Sequence, residues 1–149
     1  MRLVLDTLLD RPREEVWRAF DNPVNLRKWQ PTLIRIEPVS GVPGRVGSVS
    51  RLSFAEDGHS LVLTEKVTGR RDPEDLALSY ESSHTSNTVR HRFVDLGDGR
   101  TRWLVEAEFH FKGLLRFASS MVHGAVEKRL RDSVACFKAK LEAGEMETG

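Results

Sequence analysis

Residues 113–141 read GLLRFASSMVHGAVEKRLRDSVACFKAKL and form the one long segment of the chain with helical periodicity and no proline. An α-helix rises ~1.5 Å per residue, so this segment predicts a helix of ~40 Å. The residues before it read mainly as strands and turns, and a helix of that length is therefore expected to lie across a sheet. The apolar positions of this segment, which predict its packed side, are Leu114, Leu115, Phe117, Ala118, Met121, Val122, Ala125, Val126, Leu130, Val134, Phe137 and Leu141.

The apolar stripe of the predicted helix is not straight. At ~100° per residue, the apolar side chains of residues 114–125 and of residues 126–141 lie on clearly different sides of the helix. The change falls beside Gly124, and glycine costs ~1 kcal/mol relative to alanine inside a helix. Two interpretations remain open. The helix bends at Gly124, which would make residues 113–123 a mobile cover, or a straight helix meets two different parts of one curved sheet.

Seven strands and two short helices are predicted before the long helix. Apolar and polar residues alternate at residues 2–9, 32–39, 46–55, 59–70, 76–82, 89–95 and 103–111. Pro12 and Pro23 suit the first positions of two short helices between the first two strands, and Pro31 ends the second helix at about Trp29. Short turns, such as residues 56–58, join the later strands. The sequence therefore predicts an α+β fold, with a seven-stranded antiparallel sheet covered on one face by the long helix.

Composition limits the classes of protein to which this chain can belong. Its 149 residues, 39% hydrophobic and 30% charged, predict one globular domain over residues 1–143 and a flexible tail over residues 144–149. A formal net charge of +1 gives no reason to expect nucleic acid as a partner. No apolar run is long enough to span a membrane. The single cysteine, Cys136, excludes an internal disulfide, fits a reducing cytoplasm and is expected to be a small packing residue.

Several local signatures accompany this order of elements. They are RPREEVW at residues 11–17, DNPVNLRKW at residues 21–29, Val46-Gly47, GDGRT at residues 97–101 and the closing helix. Together they resemble the helix-grip superfamily (the SRPBCC group), which includes START lipid-transfer domains, pollen-allergen-like proteins and polyketide cyclases. The resemblance implies a curved sheet that grips the last helix around a cavity. It also implies binding of lipids, sterols, polyketides or other apolar molecules, with cyclisation or dehydration in a minority of members.

A ligand pocket is accordingly expected between the sheet and the long helix. Small-molecule sites combine apolar walls with a few polar groups. The candidate walls are Trp29, Leu63, Leu78, Tyr80, His91, Trp103, Val105, Phe109, Phe117 and Met121. The three tryptophans have alternative roles as core residues, and for Trp17 the core role is the better interpretation.

Three polar residues are predicted to point inward from successive strands. Glu65, Tyr80 and His91 are costly in an apolar interior unless they are paired. They are therefore either mutually hydrogen-bonded structural groups or functional groups that orient a ligand. As catalytic residues, His91 would act as acid or base, Glu65 would hold its tautomer and Tyr80 would donate to a developing oxyanion.

Two functions follow as hypotheses. The first is binding or transport of an apolar small molecule, such as a lipid, polyketide or aromatic compound. The second is a polyketide cyclase- or dehydratase-like enzyme that uses the acid-base residues of the same cavity. The five histidines show no zinc spacing, and the glycines of residues 41–47 lack the lysine of a phosphate loop. No metal or cofactor is therefore expected, and a monomer and a symmetric homodimer are equally compatible with the sequence.

Overall fold

The computed structural model describes residues 1–56, 58–117 and 120–149. The strands are β1 (Arg2–Leu9), β2 (Leu33–Ser40), β3 (Val49–Glu56), β4 (His59–Arg71), β5 (Asp75–Glu81), β6 (Thr85–Gly97) and β7 (Arg100–Phe111). The helices are α1 (Arg13–Asp21), α2 (Leu26–Trp29) and α3 (Ser120–Glu142), with short 3-10 helices at Pro23–Asn25 and Gly113–Phe117. No helix in these ranges is long and apolar enough to cross a membrane.

All seven strands form one antiparallel sheet in the order β1-β7-β6-β5-β4-β3-β2. The first two strands therefore lie at opposite edges, and α1 and α2 connect them. The predicted α+β helix-grip architecture is confirmed, including the two short helices between β1 and β2. We call the face that carries Val67, Leu78, Val89 and Trp103, all of them buried, the inner face of the sheet.

The starts of the short helices follow from local chemistry. Pro12 precedes α1 with an extended backbone, and Glu14 and Glu15 occupy the first turn, where the helix dipole favours negative charge. The side-chain oxygen of Asn22 accepts a hydrogen bond of 3.1 Å from the backbone N–H of Val24, which caps the 3-10 helix. These are the positions that the two proline signals predict.

The long helix differs from the prediction at its beginning. Gly113 has a φ of 58°, which favours glycine, and it opens a 3-10 helix rather than an α-helix. The α-helix begins at Ser120 and continues without interruption through Gly124. The departure from α-helical geometry thus lies before Ser120, and no break marks the predicted bend.

The two halves of α3 instead differ in burial. The buried side chains of this helix, Val134, Phe137 and Leu141, all belong to its second half. In the first half, Met121 is 81% exposed. The rotation of the apolar stripe therefore accompanies a change from an exposed first half to a buried second half of the helix.

Residues 144–149, which are predicted to form a flexible tail, contact the rest of the domain in the structure. Met146 is buried against the core. The fully buried Asn25 donates to the carbonyl of Glu147 at 2.7 Å and accepts from its N–H at 2.8 Å. Asn25 also donates to the carbonyl of Ala19 at 2.8 Å. These bonds connect Glu147 to α1, because Asn25 both donates to and accepts from the backbone of Glu147 and also binds the carbonyl of Ala19.

Among the strands, β6 differs most from its predicted bounds, because it begins at Thr85 rather than at residue 89. Residues 85–88 are all polar, so they show no alternation although they are paired with β5 and β7. Of the predicted hairpin turn at residues 56–58, Asp57 lies outside the described residues.

Candidate functional site

A closed end of the inner face is filled by aromatic rings. Its members are Trp17, Phe20, Trp29, Phe93, Trp103 and Phe137, contributed by α1, α2, β6, β7 and α3. The ring centroids of Trp103 and Phe137 lie 5.0 Å apart, and those of Phe20 and Phe93 lie 5.1 Å apart. Such edge-to-face contacts stabilise the core beyond the burial of their area. Trp103 and Phe137 are 0% exposed, so the rings at the centre of this end are completely enclosed.

His91 belongs to the closed end. The indole N–H of Trp103 donates to its Nδ1 at 3.2 Å, and the ring of Phe20 lies 4.7 Å from the imidazole. An Nδ1 that accepts leaves Nε2 as the protonated nitrogen of a neutral ring. Burial lowers the pKa of His91 to about 3 because the cluster offers no solvation to a charged imidazole. His91 is therefore a neutral residue of the core.

An open end lies further along the same face, beyond Leu78 and Val89. We define it by five inward-facing residues that are half-buried or nearly buried: Leu63, Glu65, Tyr80, Asn87 and Phe109. The ring of His123 stacks on Phe111 at 5.2 Å, which places the first half of α3 beside this end. The apolar side chains bordering it are exposed, with Leu114 at 89%, Phe117 at 73% and Met121 at 81%.

Glu65 and Tyr80 face each other as register partners on β4 and β5. Burial raises the pKa of the Glu65 carboxyl, and hydrogen bonding to the Tyr80 hydroxyl opposes this rise. The pKa of Tyr80 is raised well above its usual value by burial and then by the neighbouring carboxylate. The hydroxyl consequently stays protonated and serves as a donor toward Glu65.

Asn87 stands beside Tyr80, its register partner on β5. Its side-chain Nδ2 donates to the hydroxyl of Thr85 at 3.4 Å. Its Oδ1 is buried and is one of three buried polar side-chain atoms without a hydrogen-bond partner in the described part of the chain. An orphaned buried acceptor costs ~1–3 kcal/mol, which makes this atom a place where a ligand donor would be stabilised.

The structure divides the sequence-predicted residues between the two ends. Trp29, His91, Trp103 and Val105 are buried toward the closed end. Leu63, Tyr80 and Phe109 are half-buried at the open end, and Leu78 is buried between the ends. Phe117 and Met121 are largely exposed, so they do not form a covered wall.

The three candidate catalytic residues do not converge. Glu65 and Tyr80 meet, whereas His91 is paired with Leu76 and Val105, four residues along β6 from Asn87. At ~3.3 Å per residue, that spacing is ~13 Å. The imidazole is also held by Trp103. Its predicted partnership with Glu65 is therefore absent from this arrangement.

Two measurable concavities lie elsewhere on the described surface. One, of ≈ 290 Å³, is on the outer face of the sheet, lined in part by Arg2, Arg90, Glu106 and Glu108. The other, of ≈ 190 Å³, lies between β1 and α3. The open end itself is an uncovered apolar surface, because the side chains of Leu114, Phe117 and Met121 that border it are exposed.

Sequence reasoning missed two polar features. Asn87 sits in an all-polar stretch, and only the strand register places it beside Tyr80. Arg70 binds Asp21 with two hydrogen bonds, at 2.8 and 2.7 Å, and lies 5.3 Å over the ring of Trp17. This arginine connects β4 to α1, and a separation of 49 positions conceals the pair in the sequence. Among the described residues, no cluster of three or more histidine, cysteine or acidic side chains has the arrangement of a metal site.

Comparisons with known proteins give one family and a consistent fold. The model of the family described as polyketide cyclase / dehydrase and lipid transport matches residues 2–142. No curated protein matches the sequence significantly. The ZhuI aromatase/cyclase from Streptomyces sp. R1128 is similar in structure, with a TM-score of 0.79 and 15% identity, over 95% of this chain and 93% of that one.

Two further solved structures share the fold. A START superfamily protein from Mycobacterium smegmatis has a TM-score of 0.78 and 16% identity, over 95% of this chain and 97% of its own. Ara h 8.0201 has a TM-score of 0.78 and 18% identity, over 96% of this chain and 98% of its own. At these identities the similarity concerns the fold alone.

Proposed function

The chain belongs to the polyketide cyclase / dehydrase and lipid transport family, and from that premise we propose that it binds or transports an apolar small molecule. The molecule lies at the open end, between the inner face of the sheet and the first half of α3. A lipid, a polyketide or an aromatic compound fits this description. Its surroundings would be Leu63, Tyr80 and Phe109 of the sheet, with Phe117 and Met121 able to cover it.

The proposal is supported by one observation: the inner face of the sheet is fully covered by side chains at its closed end and only partly covered at its open end. At the closed end the rings of Trp103 and Phe137 complete the core without any ligand. At the open end Leu63 and Phe109 stay half-buried, while Phe117 and Met121 of the neighbouring segments face solvent. Burying apolar surface gains ~25 cal/mol per Å², so an apolar molecule that fills this gap is stabilised on both sides.

A fluorescence titration tests the proposal. The probe is 1,6-diphenylhexatriene, an apolar molecule without polar groups that emits strongly only when shielded from water. We expect saturable binding with one site per chain and quenching of tryptophan emission. Leu63→Arg, which places a charge on the inner face, should abolish it. Val62→Arg is the matched control, because Val62 is the neighbouring residue on the outer face and is already exposed.

Native mass spectrometry of the protein purified from its own host would then identify any retained molecule. Absence of saturable probe binding to the folded wild-type protein overturns the proposal. Equal loss in Leu63→Arg and Val62→Arg, with both variants folded, would also overturn the placement of the ligand on the inner face.

A second candidate function, a cyclase- or dehydratase-like enzyme, is favoured by the Glu65–Tyr80 pair. A carboxyl with a raised pKa beside a protonated phenol can supply a general base. The Tyr80 hydroxyl is directed toward Glu65, so the predicted donation to an oxyanion would require that hydrogen bond to break first. His91 contributes less, since it is enclosed by Trp103 and Phe20. Glu65→Gln should abolish turnover of a polyketide substrate identified by mass spectrometry while leaving its affinity largely intact, and unchanged turnover would remove this candidate.

A further inference from the structure

A row of polar side chains crosses the inner face at the open end. Ser50, Glu65, Tyr80 and Asn87 are successive register partners on β3, β4, β5 and β6. Directly opposed residues of antiparallel strands have Cβ atoms only ~4.5–5.5 Å apart. We call these four residues the polar row. It ends at Phe109, the register partner of Asn87 on β7.

The hydrogen bonds around Asn87 hold its amide from one side. The Ser82 hydroxyl oxygen accepts from the backbone N–H groups of His84 and Thr85, at 3.2 and 3.0 Å, and lies 3.1 Å from the Thr85 hydroxyl. Thr85 in turn accepts from the Nδ2 of Asn87. This chain ties down the nitrogen and leaves Oδ1 without a partner in a residue only 9% exposed.

The remaining groups of the row also favour a donor as ligand. The Tyr80 hydroxyl directs its hydrogen toward Glu65, so it offers no second hydrogen to a ligand. Within the described residues, Glu65 forms no ion pair with a lysine or arginine. Glu65, Tyr80 and Asn87 therefore present oxygen acceptors at the edge of an apolar surface, while the hydroxyl of Ser50, at the far end of the row, can both donate and accept. The ligand group complementary to the Asn87 end carries a hydrogen that it can donate.

We propose that the polar row selects apolar molecules that carry a hydroxyl group, a phenol or an alcohol, whose hydrogen is donated to Oδ1 of Asn87. This inference rests on the proposed function, because it assigns polarity and orientation to the same ligand. The apolar body of the molecule lies against Leu63 and Phe109, and its hydroxyl points toward β6. An ether or hydrocarbon of the same shape leaves Oδ1 buried without a partner and binds more weakly.

A pair of ligands tests the inference in the wild-type protein. The pair is 2-naphthol and 2-methoxynaphthalene, which share an apolar body but differ in the hydrogen that can be donated. Calorimetric titration should show 2-naphthol binding about tenfold more tightly, because only 2-naphthol can pair the buried Oδ1 of Asn87. Simple partition into an apolar site gives the reverse order, because the methyl ether is the more hydrophobic molecule.

Asn87→Leu should abolish the preference by weakening 2-naphthol binding about tenfold while leaving 2-methoxynaphthalene nearly unchanged. Thr88→Val, on the outer face of the same strand, is the matched control and should keep the preference. Diphenylhexatriene is titrated into every variant. If the probe does not bind the wild-type protein, the proposed function fails. If the probe binds but the two naphthalenes bind equally, or the ether binds more tightly, the polar row does not select donors and this inference alone is overturned.

Discussion

The two ends of the inner face use the same sheet and the same helix but are completed differently. At the closed end, rings from four other elements surround Trp103, and His91 is held neutral among them. At the open end, the polar row is exposed at its edge, and the adjoining helical segments turn Phe117 and Met121 toward solvent. The comparison teaches that one sheet can be enclosed by packing over part of its length and left uncovered over another part. Strand β6 spans both parts, since it carries the enclosed His91 and also Asn87 with its orphaned oxygen.

The largest expected difference lies between the two halves of α3. Phe137→Ala removes a fully buried ring and should lower the free energy of unfolding by ~3–5 kcal/mol. Met121→Ala removes an 81% exposed side chain and should change it by less than ~0.5 kcal/mol. Urea denaturation followed by tryptophan fluorescence measures both values. If both variants lose a similar free energy of unfolding, the two halves of α3 do not differ in packing and the distinction between the closed and open ends is wrong.

A second comparison concerns the stability that two asparagines near α1, Asn25 and Asn22, contribute. Asn25→Ala breaks three hydrogen bonds at a fully buried position and should cost ~2–3 kcal/mol. Asn22→Ala removes one helix cap and should cost ~1 kcal/mol. Chemical denaturation compares them, and amide hydrogen exchange at Glu147 should accelerate only in Asn25→Ala. If Glu147 exchanges equally fast in both variants, Asn25 does not anchor the tail.

Acid should act on the closed end through His91. Its pKa is lowered from 6.5 unfolded to about 3 folded, so the unfolded state binds the extra proton between these values. The contribution of His91 to stability is present above pH ~6.5 and falls by ~1.4 kcal/mol per pH unit on acidification toward pH ~3. His91→Gln should remove this slope in unfolding measured between pH 6.5 and 4. An identical slope in the variant would show that the imidazole is not buried as described.

The smallest effect is expected at the open end from Glu65. Burial raises its pKa, so the folded state binds a proton more readily than the unfolded state. Wild-type stability should therefore decline, relative to Glu65→Gln, as pH rises above the unfolded value of 4.5. The difference should be small, because the hydrogen bond to Tyr80 opposes the rise that burial causes. Unfolding measured at pH 4 and pH 7 tests the sign, and a relative gain by the wild-type protein at pH 7 would contradict it.

Much of the fold could be predicted because its signals are local. Strict alternation in β7 places Trp103, Val105 and Ala107 on the inner face, and all three are buried. Pro12 and Pro23 mark helix starts through backbone restrictions that hold in any context. The boundary at Ser120 escaped prediction because apolar residues continue through the 3-10 helix and carry the same periodicity without being buried.

The candidate site was less predictable because its contacts join distant residues. Periodicity indicates that Glu65, Tyr80 and His91 face inward. It does not specify which residues lie opposite one another, since register depends on the turns and bulges between strands. The register joins Glu65 to Tyr80 and assigns Asn87, with its orphaned oxygen, to the same row. The role of these residues in binding stays a prediction.

The sequence by itself determined the order of elements, the antiparallel sheet and the apolar face, because alternation, proline and glycine act within a few residues. Only the tertiary structure decided which part of that face is filled. Whether a half-apolar helix is buried depends on the side chains that reach it from elsewhere in the chain. Phe137 meets Trp103 and Trp29, whereas Met121 is left in solvent. Close packing depends on the volumes of side chains that are far apart in the sequence and adjacent in the fold. A local sequence pattern therefore cannot predict it.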